Sequence, residues 1–67
     1  RINALTPRER EVAVRVAQGQ LNREIAEQLS ISERMVKMHR QSAMEKLGVH
    51  SFAGLVRAID HAGLAGA

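Results

Sequence analysis

The chain has 67 residues, which is one small domain at most and too few for two separate cores. Apolar residues make up 45% and charged residues 25%, a globular balance, and the absence of cysteine excludes a disulfide framework, a thiolate metal site and a cysteine nucleophile. Ten Lys and Arg against seven Asp and Glu leave +3, a modest excess that suits a nucleic-acid partner without demanding one.

The first predicted element is a helix over about residues 7–18. Thr6 caps it, Pro7 suits its first position, and Glu9 completes a capping box three residues after Thr6. Val12, Val16 and Ala17 recur at helical spacing, and Gly19 ends the run. Asn22 is expected to cap a second helix over about 23–29, whose inward face is Ile25, Ala26 and Leu29. After the tight connection Ser30-Ile31, Ser32 caps a third helix over about 33–47, with Lys46 in its last turn and Gly48 as its stop. Ser51 caps a fourth over about 52–62, Gly63 ends it, and residues 64–67 are expected to fray.

No segment alternates with period two, so the fold class is all-α, one four-helix domain over 1–67. The periodicity places Leu5, Val12, Val16, Leu21, Ile25, Ala26, Leu29, Ile31, Val36, Ala43, Leu47, Val49, Leu55 and Ile59 in the core. No apolar run approaches the roughly 18 residues of a membrane span and no signal peptide is visible, so no membrane partner and a cytoplasmic location are expected. The chain opens on Arg1 rather than Met, which reads as a piece of something longer.

Residues 22–41 carry the functional pattern. Two helices crossing at a wide angle over a short turn need a small residue inside the first, here Ala26. They need apolar residues at Ile25, Leu29 and Ile31, and one facing back from the second helix, Val36. All five are in place, which is the spacing of a helix-turn-helix, although a generic helical hairpin packs the same way. Ser30 stands where such a turn often prefers glycine.

With Val36 set inward and about 100° per residue, Arg34, Lys37, Met38 and Gln41 point outward, with Ser42 and Glu45 at the margin. Two cations, an amide and a thioether make a sensible major-groove face, although a solvated helix face is the ordinary fate of such residues. Lys37 can donate to guanine, Gln41 can pair with adenine, and Met38 can pack on a thymine methyl. Arg23, at the start of the second helix, and Arg40, on the flank of the third, are candidate phosphate contacts. Asn22 and Ser32 join them through the N–H groups at the helix starts they cap. His39 reads as a packed histidine hydrogen-bonded within the domain. His39, His50 and His61 recur every eleven residues, but Gly48 interrupts the helix between the first two, so no metal site and no cofactor are expected. No nucleophile–base constellation or glycine-rich phosphate loop is present, so the chain is not read as an enzyme. Its only aromatic is Phe52, which disfavours stacking on single strands.

The words Leu5-Thr6-Pro7-Arg8-Glu9-Arg10-Glu11-Val12, Asn22-Arg23-Glu24-Ile25-Ala26, Ile31-Ser32-Glu33-Arg34, Val36-Lys37, His39-Arg40 and Lys46-Leu47-Gly48-Val49 stand in a specific order and spacing. In that combination the chain resembles the LuxR/FixJ-type (NarL/FixJ family) DNA-binding domain of bacterial response regulators. His39-Arg40, Met44 and Leu55-Val56-Arg57 look more like the FixJ branch than the quorum-sensing branch. The resemblance implies duplex DNA as partner, the third helix in the major groove and an N-terminal receiver domain outside this chain. It puts Lys37, Met38 and Gln41 on base edges, and Arg23, Arg34, Met35 and the start of the third helix near phosphates. It makes the fourth helix a homodimer contact on DNA, for which Val56, with Ala53 and Asp60 nearby, is the expected patch, and RNA polymerase a possible further partner.

Three residues depart from the family pattern. Met35 stands where threonine is usual, and a thioether donates no hydrogen bond to phosphate. Met38 replaces a smaller β-branched residue. Gly54 replaces an acidic residue, so the fourth helix lacks a capping box. Two alternatives remain at this point. One is a sigma-factor region-four-like domain, against which the helix after Gly48 argues; the other is a helical protein-interaction module.

Overall fold

The computed structural model describes residues 4–63. Four helices follow one another: α1 (Pro7–Ala17), α2 (Asn22–Leu29), α3 (Glu33–Leu47) and α4 (Phe52–His61). Among the described residues there is no strand. The tail expected to fray lies outside the described residues.

Local chemistry sets the helix starts. At α1, Thr6 Oγ1 accepts the Glu9 N–H at 3.1 Å, and Glu9 Oε1 accepts the Thr6 N–H at 2.9 Å, the reciprocal capping box. Ser32 caps α3 by accepting the Met35 N–H at 3.1 Å, and Ser51 caps α4 by accepting the Gly54 N–H at 3.0 Å. The start of α2 differs from expectation. Leu21, not Asn22, is the capping residue, and Asn22 is the first residue of the helix. The cause is Glu24, whose Oε1 accepts the Leu21 N–H at 2.7 Å. That is one half of a capping box; leucine has no acceptor for the other half.

The first three helices end alike. Each closes with a residue of positive φ, a 5→2 bond and a 6→1 bond, the Schellman arrangement. In α1 the bonds run from Gly19 N–H to Val16 O (2.9 Å) and from Gln20 N–H to Arg15 O (3.1 Å). In α3 they run from Gly48 N–H to Glu45 O and from Val49 N–H to Met44 O, both 3.1 Å. In α2 they run from Ser30 N–H to Glu27 O (3.4 Å) and from Ile31 N–H to Ala26 O (3.0 Å). Ser30 therefore holds φ +58, the left-handed conformation that glycine adopts freely and a Cβ makes costly. The turn of the helix-turn-helix is the ordinary one, built with a strained residue. Ile31 and Val49, the residues just beyond two of these turns, fold back onto the core.

The core is Leu5, Val12, Ala13, Val16, Ile25, Ala26, Val36, Ala43, Leu55 and Ile59. Leu29, Ile31, Leu47 and Val49 pack against it half-buried. Leu21, expected inside, is 59% exposed, because the capping position turns its side chain off the α2 inner face. Ala13, not foreseen, is fully buried. Each large side chain among Val12, Ile25, Val36, Leu55 and Ile59 contributes roughly 1.5–3 kcal/mol by leaving water. Gly54 also has a packing reason: a Cβ there would stand 3.3 Å from the Val49 Cβ and 3.2 Å from Ser51 Oγ. An acidic side chain at this place would press on the loop that enters α4.

Two polar ties hold α1 to its neighbours. Lys46 Nζ in the last turn of α3 donates to Glu9 Oε1 at 2.8 Å, and Arg15 Nε donates to Gln28 Oε1 of α2 at 2.9 Å. Together with the core, they fix α3 on a frame of α1, α2 and α4.

Candidate nucleic-acid interface

α3 has an inner and an outer side. Val36 and Ala43 are fully buried on the inner one. Arg34, Met35, Lys37, Met38, Gln41 and Glu45 are exposed, while His39, Arg40 and Ser42 are half-buried. The ring of His39 forms no hydrogen bond with the described residues, so its expected partner within the domain is not there.

The outer face gathers cations without a partner: among the described residues, Arg23, Arg34, Lys37 and Arg40 make no ion pair or side-chain hydrogen bond. Three other cations are engaged: Arg8 lies 3.3 Å from Glu11, and Arg15 and Lys46 make the ties above. Arg10 and Arg57 are exposed and without a partner among the described residues, so what sets the outer face apart is that four unpartnered cations gather there. Glu45 is the one exposed carboxylate among the outward residues of α3 after its first turn.

Two concavities gather the expected residues. One is lined by Asn22 and Arg23 from the start of α2, by Glu33 and Arg40 from α3, and by Gln20 and Leu21 from the intervening turn. It joins three of the expected phosphate contacts, Asn22, Arg23 and Arg40. The other runs along α3 and is lined by Lys37, Arg40, Gln41, Met44 and Glu45, then by Val49 and His50. His50, weighed in the sequence only as a metal ligand, lines the same concavity. The turn at Gly48 reverses the chain and brings His50 to the groove that Lys37 and Gln41 also line.

Met35 has nothing to offer a phosphate. Its side chain carries no donor, and its N–H is already taken by Ser32 Oγ. The Ser32 hydroxyl is exposed and keeps its own proton for donation.

On α4, Ala53 and Asp60 are exposed and Val56 is half-buried. Phe52 shares their flank by helical spacing and is 56% exposed. The opposite flank faces an apolar groove with Leu47, Val49, Gly54 and Ala58. Among the described residues, no three His, Cys, Asp or Glu side chains stand together as metal ligands. No described helix is long and apolar enough to cross a membrane.

Glu9 is the one buried charged residue among those described. The Lys46 ammonium beside it, helped by the Thr6 N–H, lowers its carboxyl pKa from 4.5 to about 2 against the opposing effect of burial. The pair belongs to the scaffold: it anchors the last turn of α3, leaving the earlier turns to carry the exposed face.

Residues 3–59 match the family described as bacterial regulatory proteins, luxR family. The chain belongs to that family. It is a helix-turn-helix DNA-binding domain of bacterial transcription regulation, with α2 and α3 as the motif. It is 53% identical over 53 residues to the tetrathionate response regulatory protein TtrR of Salmonella typhimurium, covering 79% of this chain and 26% of that one. It is 45% identical over 58 residues to the transcriptional regulatory protein MctR of Rhizobium johnstonii, covering 85% and 27%. It is 47% identical over 57 residues to the transcriptional regulatory protein UhpA of Escherichia coli, covering 85% and 29%. The chain thus spans about a quarter of the length of these relatives. The family assignment removes the sigma-factor alternative.

Proposed function

We propose that α3 enters the major groove of duplex DNA and reads sequence there, as the C-terminal effector domain of a two-component response regulator. The observation that carries this reading is the cluster of idle cations, Arg23, Arg34, Lys37 and Arg40, around the exposed face of α3. Four cations without a partner among the described residues, gathered around one exposed helix face, suit a phosphate backbone. Lys37, Met38 and Gln41 contact base edges, and Arg23, Arg34, Arg40, Ser32 and Asn22 contact phosphates. Met35, placed near phosphate by family position, is left for an apolar contact.

Two copies bind paired half-sites and meet through α4, at Val56, Ala53 and Asp60 with Phe52 beside them. The relatives' length supports a receiver domain N-terminal to this chain, which would govern that pairing. The working location is the cytoplasm, RNA polymerase is a candidate further partner, and no enzymatic step is assigned to the domain.

Selection from random duplex DNA at near-physiological salt tests this. The expected product is an enriched pair of inverted half-sites about one helical turn apart. A single enriched half-site would remove the dimer and keep the reading of sequence. Absence of any enriched sequence, with binding insensitive to salt, would favour a protein-interaction module instead.

A further inference from the structure

The exposed face of α3 is divided lengthwise by chemistry. Lys37 and Gln41 lie on one flank and line the groove shared with Arg40 and His50. Met35 and Met38 lie on the other and take no part in that groove. They are three residues apart on the helix, so their side chains are surface neighbours. Met35 is 40% and Met38 55% exposed, whereas Met44 is half-buried against the core. Among the described residues, the large apolar side chains left in water are few: Leu21, Phe52 and these two.

Neither thioether carries a donor, and the Met35 N–H is bonded to Ser32, so these two side chains offer a base only apolar contact. In the major groove, the apolar feature a base edge presents is the C5-methyl group of thymine. A 5-methylcytosine places the same group at the same position on its ring. Two adjacent thioethers are polarisable and flexible, so they can close around a methyl without exact registration.

We infer that Met35 and Met38 form a methyl-reading patch for C5-methylated pyrimidines, alongside the base pairs read by Lys37 and Gln41. The inference rests on the placing of α3 in the major groove. It turns an apparent loss, a donor replaced by Met35, into a gain of apolar readout. Its consequence is that one methyl group, added or removed, changes affinity with all hydrogen-bonding groups left in place.

The test uses the operator enriched from random duplex DNA. Each thymine is replaced in turn by deoxyuridine, which removes the methyl group alone. Affinities are measured for the wild-type chain and for Met35→Ala, Met38→Ala and Lys37→Ala. At one or two positions deoxyuridine should weaken wild-type binding roughly three- to fivefold, the effect of about one buried methyl. In Met38→Ala, and to a lesser degree in Met35→Ala, the same replacement should have little further effect; in Lys37→Ala it should keep its full effect. Where that position is made a cytosine, methylating it should strengthen wild-type binding by a similar factor.

Both methionines are exposed and alanine favours helix, so the variants fold. An operator that tolerates deoxyuridine everywhere, or loses equally in the methionine variants, overturns the methyl patch while Lys37 dependence keeps the major-groove reading intact. Failure to enrich any sequence removes both together.

Discussion

Lys37 and Lys46 carry the same charge on the same helix and meet opposite fates. Lys46 reaches back to α1 and bonds the buried Glu9 at 2.8 Å. Lys37 is exposed and has no partner among the described residues. The two ends of α3 are thus divided between holding and offering. Its last turn is anchored by an ion pair, and its first turns are left with charges that the fold does not use. A cation bonded within a domain says little about function; a group of cations left without partners on one face says a good deal.

The largest effect on this comparison should come from removing the anchor. Glu9→Ala removes the helix cap and leaves Lys46 without its carboxylate, and should cost about 3 kcal/mol in urea unfolding. Glu9→Gln keeps an oxygen for the Thr6 N–H and should recover about 1 kcal/mol of that. The dependence on pH has a definite sign. The folded carboxyl, at about 2, lies below the ordinary 4.5. Its contribution is therefore complete above pH 4.5 and is lost as pH falls towards 2. Wild type and Glu9→Gln should differ most near neutrality and converge in acid. A gap that stays constant from pH 7 to pH 2 would show that the charge on Glu9 is not what stabilises.

At the other end, Lys37→Ala should leave unfolding unchanged to within about 0.5 kcal/mol. It should weaken binding to the preferred operator by about 1–3 kcal/mol and relax the choice of base at one position. An equal loss on every duplex, with a shallower dependence on salt, would demote Lys37 to a phosphate contact.

The fold was legible because its signals are local. Thr6-Pro7-Arg8-Glu9, Ser32 and Ser51 mark starts, and Gly19, Gly48 and Gly63 mark ends, all within a turn of the helices they bound. The outer face of α3 was legible because a single buried residue, Val36, orients every other one. The Glu9–Lys46 pair was not, since its members are 37 residues apart and only packing brings them together. The place of His50 in the α3 groove was hidden for the same reason, since it depends on the reversal at Gly48. The cap of α2 was legible as well. Counting back three residues from Glu24 reaches Leu21 and not Asn22, so the partner of the capping box was present in the sequence.

The capping box at the start of α2 is half built. Leu21→Ser places a hydroxyl where the Glu24 N–H has no side-chain acceptor, completing the box on a backbone already extended at φ −80 and ψ 154. Little packing is lost from a residue 59% exposed. The variant should be more stable by about 1 kcal/mol, read from its denaturation midpoint. No gain would mean that Leu21 contributes packing which its exposure conceals.

The smallest effect tests the turn between the two helices of the motif. Ser30 holds φ +58 and ψ 44, which an L-residue adopts at a cost of roughly 1–2 kcal/mol. Glycine relieves that cost but loses more freedom on folding, so Ser30→Gly should gain only about 0.5–1 kcal/mol. Binding should not change, because the Ile31 N–H to Ala26 O bond sets the direction in which α3 leaves the turn, and it is made by backbone alone. A stability gain with altered DNA affinity would show instead that the serine, not the backbone, determines how α3 is presented.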